Sequence, residues 1–188
     1  MERTSLGLDN RKMAFWAFIG SECLLFASLI STYLISKGRS VVGPYPHDIL
    51  NIPFTSISTF DLLMSSLMMV LALAAVQRGD LRWAKVWLFL TALLGLFFLA
   101  GQVYEFTSFV HEGLTLQRNL FGATFFVLTG THGAHVTVGV IWLLTLWSRA
   151  LRAKLGKGNA LTVEICGLYW HFVDVVWIVI FTVVYLIQ

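Results

Sequence analysis

Charge is scarce in this sequence. Only 12% of its 188 residues are Asp, Glu, Lys or Arg, against roughly 25% in a soluble globular domain. Proline is scarcer still: Pro44, Pro46 and Pro53 are all of it, so no proline kink is expected beyond the first loop. The two cysteines, Cys23 and Cys166, fall in different apolar stretches and read as inert core residues rather than a disulfide framework. The C-x-x-C-H signature of a c-type haem is missing. No small-residue cleavage site follows the first apolar run, which is itself about as long as a full membrane span. There is no internal repeat, low-complexity tract or broken helix, which argues against an alternating-access transporter. The net charge of +3 sits in short loops, so it reads as a topology signal and not as a nucleic-acid patch.

What remains is hydrophobic: 57% of the chain. Five stretches carry this surplus, at residues 13–36, 57–76, 86–110, 119–148 and 161–187. Each reaches the roughly 20 residues needed to cross about 30 Å of hydrocarbon as a helix. Helix is the natural form, because backbone polar groups in lipid must be satisfied within the segment. The expected fold is all-α, a single membrane domain over residues 1–188 made of a bundle of five transmembrane helices. Gly43, Pro44, Pro46 and Pro53 punctuate the first loop, Gln77–Gly79–Asp80 reads as a tight hairpin, and Gly156–Lys157–Gly158–Asn159 separates the last two spans. Ten of the thirteen basic residues lie on one side: Arg3, Arg11, Lys12, Arg78, Arg82, Lys85, Arg149, Arg152, Lys154 and Lys157. Lys37, Arg39 and Arg118 lie on the other. The positive-inside rule then places the N-terminus in the cytoplasm and the C-terminus outside.

The acids are the informative residues. Glu22, Asp61, Glu105, Glu164 and Asp174 lie within the expected spans, and no Lys or Arg does. An ionised carboxylate in hydrocarbon costs several kcal/mol. Each acid must therefore be protonated, bond to a histidine, hydroxyl or water, or face a partner subunit. Asp61 is close to the expected start of its span and reads first as a solvated acid near a helix end; Glu22 sits mid-span. In the last span Glu164, His171 and Asp174 are spaced i, i+7, i+10 along one stripe. His171 and Asp174, three apart, are expected to hydrogen-bond, and a structural polar pair and a proton relay both remain open. In the fourth span Gly130-Thr131-His132-Gly133-Ala134-His135 has the small residues that let backbones approach closely. His132 and His135 invite a metal or haem reading, but no Cys or carboxylate accompanies them on that helix, so no metal site is expected.

Several of these runs resemble one known family. Tyr169-Trp170-His171-Phe172-Val173-Asp174-Val175-Val176-Trp177, and Gly130-Thr131-His132-Gly133-Ala134-His135-Val136 followed by Gly139, resemble signatures of subunit III of the haem–copper oxidases. Ser21-Glu22-Cys23-Leu24-Leu25-Phe26-Ala27-Ser28 and Gln102-Val103-Tyr104-Glu105-Phe106 fit the same order. The resemblance spans nearly the whole chain. It implies the accessory subunit of a cytochrome c oxidase in a bacterial cytoplasmic membrane. Such a subunit is non-catalytic, holds no metal or cofactor of its own, binds phospholipid, and packs beside the catalytic subunit I, with subunit II in the same complex. Haem and copper reside in those partners. Its implied roles are support of proton uptake and protection of the catalytic subunit during turnover.

By the same resemblance Glu22 matches the family's membrane-buried, carbodiimide-reactive carboxylate, and Glu164 the glutamate five residues before the Tyr-Trp-His string. Glu105 is a further candidate for proton-uptake support. His132, His135, Trp170, His171 and Asp174 form a structural polar signature, and Arg149 and Arg152 are candidates for lipid headgroups. Tyr169, where quinol-oxidising relatives tend to have Phe, favours the cytochrome c branch. The alternatives are subunit III of a quinol oxidase, an accessory subunit of a nitric oxide reductase, and a haem-binding membrane anchor. The chain matches the last five helices of the family's seven-helix form, and its second span, with Asp61, Ser65, Ser66 and methionines, is a loose match.

Overall fold

A computed structural model of the chain describes residues 9–40, 43 and 50–187. Among these residues the fold is entirely helical, with five helices long and apolar enough to cross a membrane. They are α1 (Asn10–Ser36), α2 (Ile52–Arg78), α3 (Leu81–His111), α4 (Leu120–Leu151) and α5 (Ala160–Phe181). A 3-10 turn, Lys157–Asn159, leads into α5, and a π-turn, Thr182–Leu186, follows it.

Local chemistry explains where the helices begin. Asp9 accepts from the Arg11 amide at 2.9 Å, Asn51 from Phe54 at 3.1 Å and Asn119 from Gly122 at 2.7 Å. Each bond satisfies an orphan donor of a first helical turn. The α2–α3 hairpin needs only two residues. Gly79 closes α2 at φ 85°, a left-handed conformation that glycine adopts without penalty. Asp80 then caps α3 through the Arg82 and Trp83 amides.

The helices are longer than the apolar runs suggest. At 27 residues, α1 and α2 are each about 40 Å long, against about 30 Å of hydrocarbon. Hydropathy marks the part that needs lipid, whereas capped ends carry the helix on into the polar region. Arg11, Lys12, Arg78, Arg82, Lys85 and Arg149 accordingly lie on helices and not in loops. Pro53 likewise belongs to the first turn of α2, where a missing N–H costs nothing. Pro44 and Pro46 lie outside the described residues.

The packing order follows from α5. It contacts α2, α4 and α1, while α3 packs on both α2 and α4. α1 is the outermost helix and α5 the most buried. Trp170 and Trp177, both on α5, are the largest fully buried side chains. Space for Trp170 is made by glycines: a Cβ at Gly95 on α3 would come within 2.6 Å of its ring, and one at Gly139 on α4 within 2.8 Å. Helix association in lipid relies on such close packing, because burial from water supplies no drive there.

Candidate functional site

The polar side chains of the bundle interior form a layer that ties the helices together. On α4, the Nδ1 of His135 lies 2.8 Å from the Thr131 carbonyl of its own helix. A carbonyl can only accept, so Nδ1 carries a proton. The Nε2 of His135 lies 3.1 Å from the Glu22 carboxyl on α1. That contact holds one proton, whether as Glu22 O–H donating to Nε2 or as an imidazolium donating to a carboxylate. In both forms the pair has no net charge, which is what a site inside hydrocarbon requires. Both side chains are largely buried, 17% exposed for Glu22 and 18% for His135. The edge of the Phe26 ring closes over His135, and the Tyr169 hydroxyl on α5 donates to the His135 carbonyl at 3.0 Å.

His132 lies one turn away and is fully buried. Its Nε2 donates to the Val173 carbonyl on α5 at 3.1 Å, and its ring is enclosed by Phe26, Phe98 and Trp177. On α5 the expected partnership between His171 and Asp174 does not form. His171 Nδ1 meets the Ser66 hydroxyl on α2, and the buried Oδ1 of Asp174 has no hydrogen-bond partner among the described residues. His171 thus reaches sideways to the hydroxyl of the packed neighbour instead of along its own helix to Asp174. The indole N–H of Trp170 donates to Ser65 and that of Trp177 to Thr59, both at 2.9 Å. α2 therefore presents Thr59, Ser65 and Ser66 to α5. These hydroxyls lie on the span that matched the family least, and sequence reasoning gave them no role. The spacing of Thr55, Thr59, Ser65 and Ser66 on one side of α2 was the available signal.

The remaining acids sit in separate places. Glu105 is buried near the far end of α3, where it accepts from Thr55. Glu164 is near the start of α5 and pairs with Lys12 of α1. The expectation of acids without basic partners is corrected here, because Lys12 rides on the extended first turn of α1. Glu164, His171 and Asp174 thus share a stripe but not a partner. Arg149 is half-buried in the last turn of α4 and Arg152 is exposed just past it. Both are at the end of the bundle that carries Lys12 and Glu164. Asp61 is half-buried, nine residues inside α2, and so is not near a helix end.

The histidines do not fit a metal or haem site. Both nitrogens of His135 are engaged, and the one free nitrogen of His132, Nδ1, is buried in a pocket walled by rings. No group of three His, Cys, Asp or Glu residues is arranged to hold a metal ion among the described residues.

Comparison with known proteins matches the sequence to a family. The sequence profile described as cytochrome c oxidase subunit III matches residues 4–188. The chain is 42% identical over 177 residues to cytochrome c oxidase subunit 3 of Bacillus sp. (strain PS3), covering 94% of this chain and 86% of the relative. It is 40% identical over 174 residues to quinol oxidase subunit 3 of Bacillus subtilis (strain 168), covering 93% and 85%. It is 38% identical over 175 residues to cytochrome bo(3) ubiquinol oxidase subunit 3 of Pseudomonas putida, covering 93% and 84%. With five helices of spanning length and bacterial relatives, it is a multi-pass protein of a bacterial plasma membrane. The chain belongs to the cytochrome c oxidase subunit III family and is subunit III of a haem–copper terminal oxidase, one component of an oxidoreductase complex.

Proposed function

We propose that this chain is non-catalytic on its own. In this reading it packs beside the catalytic subunit I, in a complex that includes subunit II, and supports proton uptake by that subunit and its survival during turnover. The observation that supports the reading is the commitment of its polar groups. His132, His135 and His171 each bond to a neighbouring helix or its hydroxyl. Glu22, Glu105 and Glu164 are each held by a side chain of another helix. Groups spent on joining helices are poorly placed to ligate a metal, so in this reading haem and copper belong to the partner subunits.

The basic end of the bundle is the proposed cytoplasmic side, by the positive-inside rule. There Lys12–Glu164, Arg149 and Arg152 form a polar rim suited to anionic phospholipid headgroups, close to where protons would enter a catalytic neighbour. Tyr169 favours cytochrome c as the electron donor of the complex; the phenol makes a bond to the His135 carbonyl that Phe would lack. Oxidation of quinol but not cytochrome c by the purified complex would reverse that assignment. The test of the main reading is to strip this chain from the complex and measure the initial rate of oxygen consumption. Most of the initial rate should survive. Immediate and complete loss would make the chain catalytic.

A further inference from the structure

The outermost helix, α1, is held differently at its two ends. Away from the basic rim it is packed and tied. Phe26 and Tyr33 are almost fully buried there. Ser40, just past the helix, accepts from the Phe121 amide at 3.0 Å, and Lys37 donates to the Ile187 carbonyl. At the basic end the same helix stands off from the bundle. Phe15 and Phe18 form one wall of a groove of about 480 Å³, and His135, Val138, Trp142 and Tyr169 form the other. Phe15 spans the groove by ring contacts alone, with centroids 6.1 Å from Trp142 and 6.5 Å from Tyr169. The one polar tie of α1 at this end, among the described residues, is Lys12 with Glu164, whose side chains are 30% and 32% exposed. An ion pair so open to water is weak and is screened by salt.

Between the held part and the free part α1 carries Gly20-Ser21. A Cβ at Gly20 would meet nothing within 4 Å, so no close packing calls for glycine there, and glycine weakens a helix interior. The Ser21 hydroxyl donates back to the Phe18 carbonyl at 2.7 Å. Glycine–serine pairs and back-bonded serines are places where helices bend. The next residue is Glu22, whose bond to His135 of α4 anchors the helix on the far side of the bend.

We propose that residues 10–18 of α1 form a hinged strap. It swings about Gly20-Ser21 when the Lys12–Glu164 latch opens, and it gates passage from the lipid to the Glu22–His135 pair. Closed, the latch and the Phe15 ring hold the groove narrow beside His135. Open, the groove widens into a cleft through which a lipid-soluble molecule reaches the pair. The other half of α1 stays in place, because its burial and its bonds do not depend on the latch.

The test uses the complete oxidase in lipid nanodiscs, with spin labels carried on non-natural amino acids. One labelled pair is at positions 18 and 138, which face each other across the groove. The control pair is at 32 and 127, on α1 and α4 beyond the bend. Raising the salt should add a longer distance for the first pair and leave the second unchanged. Lys12→Met and Glu164→Gln should each show the longer distance already at low salt, with no further response to salt, and the double variant should exceed neither. Gly20→Ala, which meets no neighbour, should reduce the longer population by about three- to fivefold. Labelling of Glu22 by a hydrophobic carbodiimide should rise by about two- to fivefold over the same salt step. Distances that ignore salt, or a control pair that lengthens together with the first, would overturn the hinge. So would a salt response that persists in Lys12→Met, or a longer population unchanged in Gly20→Ala.

Discussion

Glu22 and His135 show what one contact can settle. Because Thr131 takes the proton on Nδ1, the contact between Nε2 and Glu22 must hold one proton, and Gln at position 22 can supply it through its amide N–H. Glu22→Gln should leave the melting temperature of the purified complex within a few degrees of wild type. Glu22→Ala should lower it further, since it leaves His135 without its partner, at roughly 1–3 kcal/mol. Equal losses for the two variants would contradict the pairing. A hydrophobic carbodiimide, which attacks carboxyl groups in apolar surroundings, should label Glu22 ahead of Glu164, whose partner is a lysine. Peptide mapping that finds label only on other acids would remove Glu22 from this role. At the same scale, Ser66 replaces Asp174 as the partner of His171. A double-mutant cycle of His171→Ala with Ser66→Ala should show coupling of about 0.5–1.7 kcal/mol. A large His171–Asp174 coupling that survives in the Ser66→Ala background would show that the helix-internal pair forms after all. Loss of either His171 or Asp174 should reduce subunit content in the membrane more than the oxygen-reduction rate per assembled complex.

Helix packing was only partly legible in the sequence. The five spans could be read because a run of about 20 apolar residues is a local property. Glu22 was recognisable by its depth, and the glycines of α4 by their crowding. Which glycine matters was not readable, because that depends on what lies opposite. Gly139 faces the Trp170 ring and Gly133 the Gln102 amide, yet a Cβ at Gly130 would meet nothing within 4 Å. Gly139→Ala and Gly95→Ala should therefore cost about 1–3 kcal/mol through displacement of Trp170. Gly130→Ala should be neutral or slightly stabilising, because alanine favours helix. Thermal denaturation in detergent separates them, and equal behaviour of the three would contradict the packing. The pairing of Lys12 with Glu164 was hidden for the same reason. The two are 152 residues apart in sequence, and Lys12 lies outside the apolar run, on the first turn by which α1 extends past it. The hydroxyls of α2 were hidden because serine and threonine in a span usually bond to their own helix. Only the position of α5 shows that Thr59, Ser65 and Ser66 serve Trp177, Trp170 and His171.

For the whole molecule, the layer that joins α1, α4, α5 and α2 makes a bundle with a basic rim at one end. A bundle of this kind can brace a neighbour and shape the water and lipid around a proton entrance without touching the oxygen chemistry. Its removal should then show up over time more than at the start. The most direct measurement strips this chain from the purified oxidase and follows oxygen consumption against turnover number at several pH values. The account predicts a depleted enzyme that begins active, slows more at neutral and alkaline pH, where protons are scarce, and loses activity progressively with each round of turnover; restoring the chain should restore its endurance. Activity that stays unchanged over many turnovers at every pH would contradict the account.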